Sequence, residues 1–243
     1  MKTISFLLSL LAVLLFLAGV LLGLSFSSSV VWGEVEASLH GTQAGSLGLK
    51  LSCPILLSPS ETGRVRATIT NSIDEDVLPV VTAEISRTGG MRILSQTVPL
   101  APHEARVLDW PVEAADVVFG RLILVNVIQA RYSDLDSRQG SCGILMFSLF
   151  GLRGGETLSL ILIGSLALIL LGGTLWWRLH APLDDLAENT VRACGAWAGV
   201  VTLATLSALL RWWGLTLFLD AFALMMVGVI ITEIVLFPRR GGS

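Results

Sequence analysis

Residues 4–24 read ISFLLSLLAVLLFLAGVLLGL, twenty-one positions without a charged side chain. At 1.5 Å rise per residue, about 20 apolar residues cross a hydrocarbon core of roughly 30 Å. This stretch is therefore expected to cross a bilayer. Three further runs read the same way, at 157–177, 193–210 and 215–237, the third being the shortest. The composition agrees. Of 243 residues, 53% are hydrophobic and 14% charged, against about 25% charged in an ordinary soluble domain. The mean hydropathy is +0.76. Low hydrophobicity, which disorder requires, is excluded. A net charge of −3 and a pI near 5.6 exclude the concentrated basic face of a nucleic-acid binder. Three cysteines without a C-x-x-C pair exclude a disulfide-built miniprotein and the usual zinc or redox motifs.

Basic residues near span ends predict the orientation. Lys2 precedes the first run, Arg178, His180 and Arg192 lie between the second and third, and Arg239 and Arg240 follow the fourth. Placing these in the cytoplasm puts both termini inside, residues 25–156 outside, and the chain in the cytoplasmic (inner) membrane. Arg211 is the basic residue on the opposite side. The segment 1–29 is read as an uncleaved anchor. Its alternative is a signal peptide with the small residues Ser25–Ser29 at the cleavage site, although a signal h-region is typically 7–15 residues. No cysteine follows that would make a lipoprotein.

Between the first and second runs the pattern changes. Residues 30–46, rich in Gly, Ser, Ala and acids, read as a linker. Seven strand-like runs follow at 47–57, 64–70, 77–86, 92–100, 105–112, 120–131 and 141–150, separated by turn residues such as Thr88-Gly89-Gly90. In the second, Val65, Ala67 and Ile69 alternate with Arg66, Thr68 and Thr70. The expected fold class is thus membrane α plus β, an extracytoplasmic seven-stranded antiparallel sandwich over 47–150 with one N-terminal helix and a three-helix membrane domain over 151–243.

Two motifs sharpen this. The run RVRATITN (64–71) resembles the second strand of bacterial immunoglobulin-like or fibronectin type III-like modules, which end in an asparagine before a turn. VPLAPHE (98–104) is similar to the apolar-Pro-Gly-Glu turn before their fifth strand, with His103 where that pattern has glycine. The resemblance covers about 100 residues. It implies a module that binds, spaces or braces and brings no catalytic residue. In such folds the first and last strands lie side by side, so Cys53 and Cys142 are expected to form a disulfide outside the cytoplasm. The alternative is two independently buried thiols. Cys194, near the cytoplasmic end of the third run, is expected to be an inert small residue.

Chemistry is sparse. His40, His103 and His180 are dispersed across the assigned topology, and H-E-x-x-H, G-x-S-x-G and P-loop motifs are missing from the sequence. Asp74-Glu75-Asp76 reads as a solvated turn rather than a calcium site. Asp134 and Asp136 with Ser133 and Ser137 lack the glycine and terminal glutamate of a calcium loop. No catalytic, cofactor or metal residue is therefore expected. In the apolar runs, Gly19 and Gly23, and Gly195 and Gly199, stand at the four-residue spacing that lets helices pack closely. Asp220 and Glu233 are ionisable groups in the fourth run, and Arg211 across a turn at Gly214 is the expected ion-pair partner of Asp220. Trp176, Trp177, Trp212 and Trp213 lie at run ends and read as interface anchors. The loop 178–192, with Pro182, Leu183, Asp184, Asp185 and Glu188, reads as a short amphipathic helix. These features predict a non-enzymatic accessory, assembly or scaffold subunit of a larger membrane complex, its partners being the bilayer and other subunits. A small transporter or channel component using Asp220 and Glu233 is the alternative.

Overall fold

Serine and glycine between residues 25 and 39 do not end the first helix. In the computed structural model, which describes residues 2–40, 46–132, 134–180 and 185–236, helix α1 runs unbroken over Lys2–Leu39. This corrects the linker read over 30–46, of which 41–45 lie outside the described residues. The serines are accommodated because their hydroxyls bond back along the helix: Ser29 Oγ donates to the Ser25 carbonyl at 2.7 Å and Ser38 Oγ to the Val35 carbonyl at 2.7 Å. Helices α2 (Gly154–His180), α3 (Asp185–Leu209) and α4 (Trp213–Leu236) follow the β domain. The segments Phe6–Leu39, Gly154–Leu179 and Arg192–Leu209 are long and apolar enough to cross a membrane, and Trp213–Val227 is a shorter apolar helix among the described residues. Helix α3 begins at Asp185, so the second half of the supposed amphipathic loop is continuous with it. Pro182, Leu183 and Asp184, like Arg239 and Arg240, lie outside the described residues.

The chain divides into a helical unit, residues 1–31 and 159–243, and a β unit, residues 32–158. The β unit is an immunoglobulin-like sandwich. The first expected strand breaks into β1 (Ser46–Leu47), β2 (Lys50–Ser52) and β3 (Leu56–Leu57). Then come β4 (Gly63–Thr70), β5 (Val80–Arg87), β6 (Gly90–Thr97), β7 (Ala105–Val112), β8 (Leu122–Gln129) and β9 (Arg138–Met146). One sheet has the order β1-β9-β8-β5-β6 with β3 also on β9, and the other is β2-β4-β7. The opening segment thus changes sheets: β1 and β3 pair parallel with β9, while β2 pairs antiparallel with β4. Pro111 sits on β7, an edge strand, where its missing N–H costs no ladder bond.

Period-two alternation makes the core. Val65, Ala67 and Ile69 of β4 are fully buried, and facing them from the other sheet, equally buried, are Val81, Ala83 and Ile85 of β5, Ile123 and Val127 of β8, and Cys142 and Ile144 of β9. Strand β8 departs from alternation, because all eight of its residues are buried. Its inner face fills the sandwich. On its outer side Gly33 of α1 sits so close that a Cβ on it would lie 3.3 Å from Leu122 Cδ2, and a Cβ on Gly143 of β9 would overlap the Gly33 backbone. A side chain at Gly143 would push helix and strand apart, whereas a Cβ at Gly33 would only require Leu122 to give by a few tenths of an ångström.

Asn71, fully buried at the end of β4, shows why that strand stops where it does. Its Nδ2 donates to the Glu75 carbonyl at 2.7 Å and the Ala101 carbonyl at 2.9 Å, while its Oδ1 accepts the Ile73 N–H at 3.1 Å. The acidic run 74–76 is therefore an Asx-type turn pinned to the neighbouring 100–104 turn. His103 in that second turn takes φ 58°, the left-handed conformation for which glycine is the usual residue. Its Nε2 lies 2.8 Å from Asp74 Oδ1.

Two further ties hold the β unit together. Cys53, in the step between β2 and β3, is disulfide-bonded to Cys142 with Cα atoms 6.6 Å apart. It joins the point where the chain changes sheets to the centre of β9. From the turn after β3, Glu61 Oε2 accepts the Ser58 N–H at 2.8 Å and the Gly154 N–H at 2.7 Å. The second bond satisfies an orphan donor at the start of α2, where a negative charge also meets the positive end of the helix dipole. Chiefly the Gly154 N–H, then the Ser58 N–H, with a smaller pull from Arg153, hold the Glu61 carboxyl below the usual carboxylate range.

Two outcomes follow. Closing a loop with a sequence separation of 89 is worth about 4 to 5 kcal/mol in the chain-entropy model, so Cys53→Ala with Cys142→Ala should markedly lower the unfolding midpoint of the β unit. In the native chain without reductant, a maleimide should reach Cys194 at most; labelling of Cys53 or Cys142 would contradict the bridge. For Glu61 the folded-state pKa is depressed, so its stabilisation is complete above the unfolded value and is lost as pH falls through the folded one. The stability difference between the native chain and Glu61→Gln, followed by urea titration in detergent, should shrink steadily on acidification below the carboxyl's unfolded value.

Candidate functional site

Within the helical unit the polar residues converge where α1 meets α4. Asp220 lies about two turns into α4, on one face with Thr216 and Ala223, and is 6% exposed. Ser27 Oγ donates to its Oδ1 at 2.8 Å and Ser28 Oγ to its Oδ2 at 3.2 Å. The hydrogen bonds given to this carboxyl among the described residues come from α1. The carboxyl's partners are thus Ser27 and Ser28 of α1 where Arg211 was expected, while the face it shares with Thr216 and Ala223 also meets α3 through Ser207, Trp197 and Val201.

The reason lies in the turn. Arg211, at φ 58°, is the left-handed residue after α3: its N–H donates to the Ala208 carbonyl at 3.0 Å, and the Trp212 N–H to the Ser207 carbonyl at 2.9 Å. This is a Schellman arrangement with arginine where glycine is usual. The reversal is therefore made at Arg211 and not at Gly214, which is already inside α4. Beside it, Ser207 Oγ and Thr216 Oγ1 are 2.8 Å apart and join α3 to α4.

The glycines divide. A Cβ on Gly19 would lie 2.8 Å from the Ile169 nitrogen and the Ser165 carbonyl oxygen, and one on Gly23 would lie 3.0 Å from Val201 Cγ1. Ser165 Oγ also donates to the Gly19 carbonyl at 2.8 Å. Gly172, which sequence reasoning missed, is as tight, with the Phe16 nitrogen 2.5 Å from its would-be Cβ. Its signal was the Gly172-Gly173 pair inside an apolar run. Gly195 and Gly199, by contrast, have no neighbour within 4 Å of a would-be Cβ among the described residues, so they make no close helix contact within this chain there. The buried face of α3 is Trp197, Val201, Ala204 and Ala208. At 100° per residue, both glycines fall on the opposite side.

An apolar groove of about 810 Å³ is lined by residues of all four helices, among them Phe16, Trp176, Trp177, Cys194 and Trp197. Phe16 and Trp197 pack tilted, ring centroids 6.1 Å apart. Trp176 is half-buried, whereas Trp177, Trp212 and Trp213 are exposed near helix ends. Glu233 falls in the last turns of α4, and its side chain lies outside the described residues.

No family model matches this chain, and no curated protein matches it. Among solved structures, the chain is similar to a β-glucuronidase from Bacteroides uniformis at 21% identity and TM-score 0.31, covering 42% of this chain and 13% of that one. It is also similar to the CARDB domain of a Pyrococcus furiosus protein at 12% identity and TM-score 0.32, covering 46% of this chain and 97% of that domain. A third is a cycloisomaltooligosaccharide glucanotransferase from a Paenibacillus species, at 16% identity and TM-score 0.35, covering 44% and 15%.

Replacing Asp220 by Leu, or Ser27 and Ser28 together by Ala, should each lower the thermal midpoint of the detergent-solubilised chain. Together they should cost less than the sum, with a coupling of about 0.6 to 1.7 kcal/mol. Additive losses would exclude the tie. Gly19→Leu or Gly172→Leu should reduce folded yield several-fold, while Gly195→Leu and Gly199→Leu should leave it unchanged.

Proposed function

We propose that this chain is a non-enzymatic integral membrane protein, an accessory, assembly or scaffold subunit of a larger membrane complex. Its immunoglobulin-like domain, of the bacterial or fibronectin type III-like kind, is carried outside the cytoplasmic membrane by spanning helices with both termini inside. The observation that carries this reading is the engagement of Asp220. Both of its oxygens are taken up by hydroxyls of α1, so the buried carboxyl serves to hold helices together. A transporter would instead need polar groups aligned through several helices, and the groove among these helices is apolar. The cysteine bridge supports an oxidising location for the β domain, and the basic residues at run ends support the orientation.

Such a subunit has the bilayer and other membrane chains as its partners. Solubilised gently and purified through a C-terminal tag, it should migrate on native gels well above its own 26.0 kDa, with other membrane proteins in stoichiometric amounts. Migration as a lone chain would count against the subunit reading. A loss of solute uptake in Asp220→Asn at unchanged abundance would favour the transporter alternative.

A further inference from the structure

Two Phe-Gly pairs occupy tight turns in a conformation that disfavours any side chain. Phe119 and Gly120 have φ 52° and 73°, and Phe150 and Gly151 have φ 52° and 75°. Positive φ at two successive central residues is the pattern of a type I′ turn, where Asn-Gly is the ordinary choice. Each turn is closed by its hydrogen bond, the Arg121 N–H to the Val118 carbonyl at 3.3 Å and the Leu152 N–H to the Leu149 carbonyl at 2.9 Å. Burial does not explain the phenylalanines, because Phe119 is 70% exposed and Phe150 92%. Glycine or asparagine would be easier for the backbone and for water at both positions.

Both turns lie at one end of the sandwich. Leu122 of β8 pairs with Leu145 of β9, and the Met146 N–H donates to the Arg121 carbonyl at 2.8 Å. Phe119 therefore precedes β8 at the end where Phe147, also exposed, follows β9. The same end receives α1, whose Gly33 sits against Leu122 and Gly143. The residue before it, Trp32, is 56% exposed. Helix α2 starts at Gly154, four residues past Phe150, so Phe150 is at most about 14 Å along the chain from that start. Arg121 and Arg153, both exposed, stand beside the two turns.

We propose that this end of the β unit is a membrane-docking collar, in which Phe119, Phe147, Phe150 and Trp32 enter the headgroup layer and Arg121 and Arg153 meet lipid phosphates. It rests on the reading that α1 and α2 span the bilayer. The occupant is the phospholipid of that same bilayer, because the collar is continuous in sequence with both apolar helices. Aromatic rings flanked by arginine are the side chains that favour the boundary between hydrocarbon and headgroup. The left-handed turns then have a use, since both rings they carry stand exposed at this end.

The test uses the full chain in vesicles of phosphatidylcholine and phosphatidylglycerol. Cys194→Ser removes the free thiol, and one cysteine at a time, Phe119→Cys, Phe150→Cys or Val107→Cys, carries an environment-sensitive fluorophore. Val107 is an exposed control on β7. Lipids bearing a quencher just below the headgroup should quench the labels at 119 and 150 at least about twofold more than the label at 107. Equal quenching at all three sites, in a chain that alkaline carbonate leaves in the vesicles, would overturn the collar and keep the spanning reading. A chain that carbonate extracts would remove the spanning reading and the collar with it. Labels at 119 and 150 shielded only when a second protein is supplied would make this end a protein-docking surface and overturn the proposal. The double variant Phe119→Gly, Phe150→Gly should fold with Cys53 and Cys142 still protected from alkylation while losing quenching of a label placed at Phe147. Unchanged quenching there would also overturn it.

Discussion

The contact of Gly33 with Gly143 brings a helix backbone onto a strand backbone with no side chain between them. Much of the β unit depends on it. Leu122, Leu124 and Asn126 point outward from β8 yet are buried, so the outer face of that strand is part of the packed interior. An immunoglobulin-like sandwich ordinarily buries only its inner face. Here the last residues of α1 add a third layer over β8 and β9, and the one continuous helix Lys2–Leu39 contributes both to that layer and to the helical unit. Burying an eight-residue strand on both faces roughly doubles the apolar area it removes from water, at about 25 cal/mol per Å².

Polar groups in this molecule are mostly used to fix boundaries. Glu61 caps the first turn of α2, Asn71 pins two turns together, and Ser27, Ser28 and Asp220 fasten α1 to α4. Asp116, fully buried beneath β5 and β6, belongs to the same class. Its Oδ2 accepts from Arg92 Nη2 at 2.7 Å and from the Glu113 N–H at 3.1 Å, while its carbonyl accepts from Ser86 Oγ at 2.7 Å. Each group takes at least one bond from a residue distant in sequence, although Asp116 Oδ1 has no hydrogen-bond partner among the described residues. Losing one partner would therefore leave a buried polar atom without a bond, which costs more than the bond itself contributes.

The apolar runs, the strand rhythm and the alternation of β4 were legible residue by residue, because a period of two or an uninterrupted apolar stretch is a local property. So was the cysteine bridge, once the sandwich was named. The end of α1 was not. Serines and glycines at 25–33 look like breaks to a local reading. They are helical because the hydroxyls bond back along the helix and because the Gly33 backbone packs onto a bare Gly143 of β9, a partner more than a hundred residues away. The Arg211–Asp220 expectation failed for a related reason. Proximity in sequence across a short turn suggested a pair, but the turn closes through a left-handed Arg211, and the Asp220 carboxyl takes its hydrogen bonds from Ser27 and Ser28 of α1.

Composition and periodicity by themselves determined that this chain combines long apolar helices with a seven-segment β module and a cysteine pair suited to its first and last strands. Only the tertiary structure decided which small residues are contacts within the chain: Gly19, Gly23, Gly33, Gly143 and Gly172 are pressed against neighbouring backbone or side chains, while Gly195 and Gly199 have no such neighbour among the described residues. The same structure decided the partners of Asp220. The reason is that a glycine or a carboxylate carries no record in sequence of the surface opposite it. Its role is set by which face of the helix the packing turns inward, and that is fixed by all the other contacts at once.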